Sequence, residues 1–173
     1  MEIRKATAAD LDGVEGIYNA VLDYQAEHSN YTNWAKGSYP TRADAEKALA
    51  EGTLYVQFDE GVMVGCAIYN HEQLPEYSKI DWKYPAQGEE VMTIHTMCVS
   101  PHAGRKGWAS AMVAYAEELG RSLGCTVMRF DTYEGNLPAR KLYAKLGYHS
   151  PGATEFFFHG FIRENLVLFE KKL

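Results

Sequence analysis

Between Thr93 and Ser110 the chain reads TIHTMCVSPHAGRKGWAS, passing from a strand through a short glycine-bearing loop directly into a helix. This stretch restricts the fold more than any other. Its strand needs a sheet to pair with, and its helix must start beside that strand's C-terminal end. The first turn of a helix carries unpaired N–H groups and the positive end of the helix dipole, which together favour phosphate. Gly104 and Gly107 let the backbone come close to a ligand where a Cβ would stand in the way, and Arg105 and Lys106 add charge suited to a pyrophosphate. Neither the G-x-x-x-x-G-K-[ST] spacing nor G-x-G-x-x-G is present, so this is not the loop of an NTPase or a dinucleotide fold. Taken alone, the pattern fits a plain turn with a solvated cationic pair equally well.

Periodicity supplies the remaining elements. Glu2 to Thr7 reads as a strand, and Ala9 to Glu27 places Leu11, Val14, Ile17, Tyr18, Val21 and Leu22 at amphipathic-helix spacing. A second helix starts at Thr41, a good N-cap, and stops at Gly52. Thr53–Phe58 and Val62–Asn70 form a hairpin about Asp59-Glu60-Gly61. His71 to Glu90 is a long polar loop with scattered aromatics, a length that usually marks function or disorder. Strands at Met92–Val99 and Thr126–Thr132 flank a helix at Gly107–Leu123. A helix at Pro138–Leu146 is followed by a closing hairpin of Glu155–His159 and Asn165–Lys171. The expected order is β-α-α-β-β-β-α-β-α-β-β, an α/β chain with antiparallel strands early and βαβ connectivity in the middle.

Composition excludes several functions. The length of 173 residues suits one domain. A hydrophobic content of 46% supports a core without disulfides or a structural metal. The net charge of −6 leaves no basic footprint for nucleic acid and mildly favours a cationic substrate. Cys66, Cys98 and Cys125 are odd in number, contain no C-x-x-C and sit in apolar surroundings, so reduced, buried thiols are expected. The first residues have no apolar signal segment and no stretch is long enough to span a membrane. The expectation is a soluble cytoplasmic protein, and no histidine spacing calls for a metal.

The segment ending Gly107-Trp108-Ala109 resembles motif A of the GNAT acetyltransferases, [Q/R]-x-x-G-x-[G/A], with Gly104 where the family usually has Gln or Arg and Arg105 one step later. Asn136-Leu137-Pro138-Ala139-Arg140-Lys141-Leu142-Tyr143-Ala144-Lys145-Leu146-Gly147-Tyr148 is similar to motif B, N-x-x-A-x-x-L-Y-x-x-x-G-[F/Y]. Two motifs in the right order, separated by a strand, make the resemblance specific, and it covers nearly the whole chain, residues 1–173, as one domain. It implies a GNAT fold: a mixed, mostly antiparallel sheet with a central splayed parallel strand pair flanked by helices. It also implies direct acetyl transfer from acetyl-CoA to an amine of a small molecule, amino acid or protein. The alternative is a module of the same fold that binds acyl-CoA without turnover.

Under this resemblance the backbone of Met97, Cys98 and Val99 holds the pantetheine arm and stabilises the thioester oxyanion. Gly104, Arg105, Lys106, Gly107, Trp108, Ala109 and Ser110 hold the diphosphate, and Asn136 bonds near the thioester. Tyr143 is the general acid for the departing thiolate. His95 and Glu90 are the base candidates, histidine because it titrates near neutrality. His95 and Cys98, three apart on a strand, point to opposite faces, which argues against a His–Cys pair or a metal. Trp34, Tyr39 and Tyr84 are the expected acceptor-site residues, since aromatics attract alkylammonium groups. Similar proteins often form a homodimer; the residues here do not decide it.

Overall fold

A computed structural model of the chain describes residues 1–104, 106–158 and 162–173, which leaves Arg105 and His159 outside the described residues. The elements are β1 (Glu2–Lys5), α1 (Leu11–Glu27), α2 (Arg42–Ala50), β2 (Leu54–Asp59), β3 (Val62–Asn70), β4 (Val91–Val99), α3 (Trp108–Ser122), β5 (Val127–Tyr133), α4 (Leu137–Lys145), β6 (His149–Phe158) and β7 (Ile162–Lys172). Short 3-10 turns also occur before α1 and within the long loop. Their order is the one expected from periodicity. The strands hydrogen-bond in the order β1-β2-β3-β4-β5-β7-β6. β1–β2, β2–β3, β5–β7 and β6–β7 are antiparallel, and β4–β5 is parallel.

Several boundaries shift from the periodic reading, and two of the shifts have a visible cause. α1 starts at Leu11 because Thr7 and Asp10 first close a 3-10 turn: the Asp10 carboxylate accepts the Thr7 N–H at 2.7 Å and the Arg4 guanidinium at 2.8 Å. β6 starts at His149, well before Glu155. Pro151 and Gly152 hide the strand in the sequence, and a register shift between His149 and Gly152 accommodates them.

The chain divides into two compact units. The first comprises residues 1–29, 34–70 and 94–116. In it α1 and α2 lay Leu11, Val14, Ile17, Tyr18, Ala45 and Ala48 over Leu54, Val56, Cys66 and Cys98 of the strands. Gly65 is glycine for a steric reason: an added Cβ would lie 2.9 Å from the Cys98 carbonyl oxygen and 3.2 Å from Gln57 Oε1. β3 and β4 therefore approach closely where the resemblance locates the pantetheine arm.

The second unit comprises residues 30–33, 71–93 and 117–173. Phe130 sits at the centre of an aromatic cluster, with ring centroids 4.6 Å from Tyr143, 4.8 Å from Tyr148 and 6.0 Å from Phe169. On the loop side Tyr77 and Phe156 pack with Leu166 and Leu168, supported by Trp82 and Tyr133. The long loop is not left to solvent. Arg129 and Glu170, both almost fully buried, form an ion pair at 3.4 Å. Glu170 accepts the N–H groups of Lys83 at 2.9 Å and Tyr84 at 3.2 Å, while Arg129 donates to the carbonyls of Tyr84 at 2.6 Å and Ala86 at 3.1 Å. The Arg129 guanidinium also lies 4.4 Å from the Trp82 ring centroid. The pair satisfies its own charges with backbone groups of the loop, the condition under which buried ions are tolerated.

Candidate functional site

In the first unit the relevant residues run along β4 into the loop before α3. Thr96 has φ of 49° inside the strand. For a β-branched residue this is a true outlier, and such strain persists only where the surroundings hold it. Here the Tyr39 hydroxyl hydrogen-bonds to Thr96 Oγ1, and the Tyr39–Pro40 peptide is cis. The strand itself continues through this residue to Val99. Trp34 meets Tyr39 edge-on at 5.6 Å. The sequence points to Tyr39 as an acceptor-site aromatic; the structure adds a hydrogen bond that braces β4.

His95 Nε2 lies 3.1 Å from Asn70 Oδ1, which ties the ring to the neighbouring strand. Cys98 is buried and free, as expected, and its contact with Cys66 raises the Cys66 thiol well above its ordinary range. Neither thiol has the exposed, electropositive setting of a nucleophile.

After β4, Ser100 N–H bonds back to Val64 O at 2.8 Å, and the chain turns through the loop. Gly104 has φ of 73° and Gly107 of 80°, a region that glycine enters without cost, and open space lies where their Cβ atoms would be. A glycine at each of these positions leaves room beside the backbone. Lys106 is exposed, its Nζ 3.4 Å from Asp59 Oδ2 and 5.7 Å from the Trp108 ring. An exposed pair of this kind holds with about 1 kcal/mol or less, so the ammonium is easily redirected to another anion. Trp108 is buried, its indole N–H donating to Ala103 O at 3.1 Å. It fixes the loop's entry into α3, of which Ala109 and Ser110 continue the first turn. Arg105 lies outside the described residues.

In the second unit the residues come from β5, α4 and the long loop. Asn136 caps α4: its Oδ1 accepts the Ala139 N–H at 3.2 Å, and its Nδ2 donates to Thr132 Oγ1 at 3.1 Å. Two turns on, Tyr143 is buried, its ring 5.1 Å from Phe169. Burial, with the nearby Asp131 charge second, pushes its phenol well above the usual tyrosine range. A phenol so placed keeps its proton at neutral pH. Glu90 is exposed, and its carboxylate accepts the Gln87 N–H at 3.0 Å, closing its own 3-10 turn. Tyr84 is held through its backbone by Arg129 and Glu170, with Lys83 5.3 Å from its ring.

Asp131 was not singled out in the sequence. The Tyr77 hydroxyl donates to its Oδ2 at 2.7 Å, and burial pushes its carboxyl up to about 6. The negative fields of Glu164 and Glu76 raise it further. A single aspartate near the end of a strand carries no motif; only the partner 54 residues away marks it. Among the described residues no group of three or more His, Cys, Asp or Glu could hold a metal, and no helix is long and apolar enough to cross a membrane.

Comparison with known proteins connects both regions to one family. A Serratia marcescens aminoglycoside N(6')-acetyltransferase type 1 is 25% identical over 79 residues, 46% of this chain; the match spans about half of that relative's length, 54%. A GNAT-family acetyltransferase structure from Streptococcus agalactiae superposes with a TM-score of 0.80 at 21% identity, covering 99% of this chain and 95% of that one. A Salmonella typhimurium protein solved with its cofactor acetyl-CoA gives 0.68 at 19% identity, covering 100% and 94%. At these identities the structures speak to the fold, which is the GNAT fold. Residues 18–148 match the acetyltransferase (GNAT) family, and the chain belongs to it.

Proposed function

We propose that residues 1–173 act as one N-acetyltransferase domain that takes the acetyl group of acetyl-CoA and transfers it directly to a primary amine. The observation that carries the reading is the pair of positive-φ glycines, Gly104 and Gly107, between a strand with a positive φ at Thr96 and the N-terminus of α3. Such a loop offers amides and the helix dipole to a diphosphate and needs no metal-binding hydroxyl. The matched family and a relative named as an N-acetyltransferase support it.

Bound acetyl-CoA supplies an acetyl group activated on a thioester sulfur. The chain's own residues then do the rest. The loop amides with Lys106 and Arg105 hold the diphosphate. The backbone N–H groups of Met97 to Val99 hold the pantetheine arm and stabilise negative charge on the acetyl oxygen; in other enzymes such a donor contributes about 3–4 kcal/mol. Tyr143 donates a proton to the departing thiolate; burial keeps the phenol protonated until then. Asn136 holds the start of α4, and so Tyr143, in position. Of the two base candidates read in the sequence, His95 has its ring braced by Asn70 and Glu90 has its carboxylate occupied by a cap.

The test is release of free CoA thiol from acetyl-CoA against a panel of primary amines. Turnover with one or more amines, lowered about a hundredfold or more in Tyr143→Phe, is the expected result. A thermal shift with acetyl-CoA but no turnover on any amine leaves a binding module instead. No thermal shift at all removes both readings.

A further inference from the structure

We propose that Glu117 and Tyr148 are positioning residues for Tyr143: Glu117 holds the Tyr148 phenol, and Tyr148 passes that constraint to Tyr143 through the cap that ends α4. This rests on the acetyltransferase reading and adds to it the side chains that aim its acid.

The geometry lies wholly within the second unit. α4 has only nine residues, too few to be stable alone in water, so whatever fixes its ends fixes Tyr143. Asn136 holds the first turn. At the other end Gly147, with φ of 84°, stops the helix. Its N–H donates to Ala144 O at 3.1 Å, and the Tyr148 N–H donates to Tyr143 O at 3.0 Å. These two bonds make a Schellman cap, which brings the residue after the glycine back onto the last full turn of the helix. The two residues it joins are Tyr148 and Tyr143, whose ring centroids lie 6.2 Å apart. Tyr148 is therefore tied to Tyr143 by main chain and by ring.

The far end of Tyr148 is tied down as well. Its hydroxyl donates to Glu117 Oε1 on α3 at 2.9 Å. The same oxygen accepts from Lys171 Nζ on β7 at 2.9 Å, and Lys171 also donates to Leu146 O, at the C-terminal end of α4, at 3.0 Å. A cation there suits the negative end of the helix dipole. Arg121 lies 3.6 Å from the other oxygen of Glu117. Burial, and then the Glu117 charge, raises the Tyr148 phenol, so it keeps the proton it donates. Groups from α3, β7 and the cap of α4 thus meet on one carboxylate oxygen.

Around Tyr143 itself the contacts are aromatic, Phe130 at 4.6 Å and Phe169 at 5.1 Å. Those rings set the plane of its phenol, while the cap sets how far along α4 the phenol sits. Placement matters because an error of about 1 Å in a reacting group costs on the order of a hundredfold in rate.

The test is a double-mutant cycle on CoA-thiol release from acetyl-CoA with a panel of primary amines, using the full chain. Tyr148→Phe cuts the bond to Glu117 and keeps the ring. It should lower kcat about tenfold while KM for acetyl-CoA stays within about twofold of wild type. Made in Tyr143→Phe, the same change should lower kcat no further, because the hydroxyl it aims is gone. Glu117→Ala should lose as much as Tyr148→Phe, and Glu117→Gln, which keeps an acceptor oxygen, should recover most of it. Should Glu117→Ala fail to fold, Tyr148→Phe carries the test. A second readout does not depend on turnover. With tyrosine isotopically labelled at Cζ, the Tyr143 NMR signal, assigned by its loss in Tyr143→Phe, should shift in Tyr148→Phe and Glu117→Gln. Equal loss of kcat from Tyr148→Phe with and without the Tyr143 hydroxyl, or a Tyr143 signal that stays in place, overturns the proposal. A wild type that acetylates no amine is a separate failure, that of the acetyltransferase reading, and the NMR signal then decides the coupling by itself.

Discussion

The loop before α3 and the long loop before β4 are built in opposite ways. The loop from Ser100 to Gly107 is shaped by its backbone: glycines at positive φ, a return hydrogen bond to Val64, and an exposed lysine loosely paired with Asp59. The loop from His71 to Glu90 is held from beneath by the side chains of Arg129 and Glu170, which take up its N–H and C=O groups one by one. The first is closed by short-range bonds among its own groups and their near neighbours; the second has its groups taken up by buried side chains from distant strands. A binding loop can be local and cheap to form, whereas an ordered wall of similar irregularity needs a buried anchor.

Breaking the anchor should have the largest effect. Glu170→Gln leaves a buried guanidinium without its counter-charge, and urea denaturation should show a loss of about 3–5 kcal/mol. The same measurement on Lys106→Ala should stay within about 0.5 kcal/mol of wild type, while calorimetry shows weaker acetyl-CoA binding. Equal destabilisation by the two variants would erase the contrast. Gly107→Ala tests the backbone loop directly. It forces an alanine to φ of 80°, so about 1–3 kcal/mol of stability should be lost together with acetyl-CoA affinity.

Smaller effects sharpen the picture. Asp131 has a carboxyl raised to about 6 in the fold, against an ordinary 3.8, so its ionised form destabilises the fold at neutral pH. That penalty fades as pH falls through 6 toward 4, because the folded state binds the proton first. Asp131→Asn should therefore melt a few degrees higher than wild type at pH 7, with the difference gone near pH 4; an equal Tm at both pH values counts against a buried carboxylate. Smallest is Tyr18→Phe. The Tyr18 hydroxyl is buried in the first core without a hydrogen-bond partner among the described residues, so its removal should be neutral or stabilising by up to about 1 kcal/mol.

The loop before α3 was legible because its information is local. Glycine spacing, adjacent cations and the switch from strand to helical period all lie within a dozen or so residues. Gly65 and Thr96 were not legible: one is an ordinary glycine until the Cys98 carbonyl is seen at 2.9 Å from its missing Cβ, the other an ordinary strand threonine until its φ is known. β6 was read short because Pro151 and Gly152 imitate a loop where tertiary pairing with β7 carries the strand through.

By itself the sequence determined the order of helices and strands, the two motifs and the glycine-bearing loop before α3, since hydrophobic period and turn chemistry act between near neighbours. The tertiary structure alone decided the partners of the charged side chains. Arg129 meets Glu170 across 41 residues and Asp131 meets Tyr77 across 54. A charge's role depends on what desolvates and faces it, and only the folded chain brings those groups within reach.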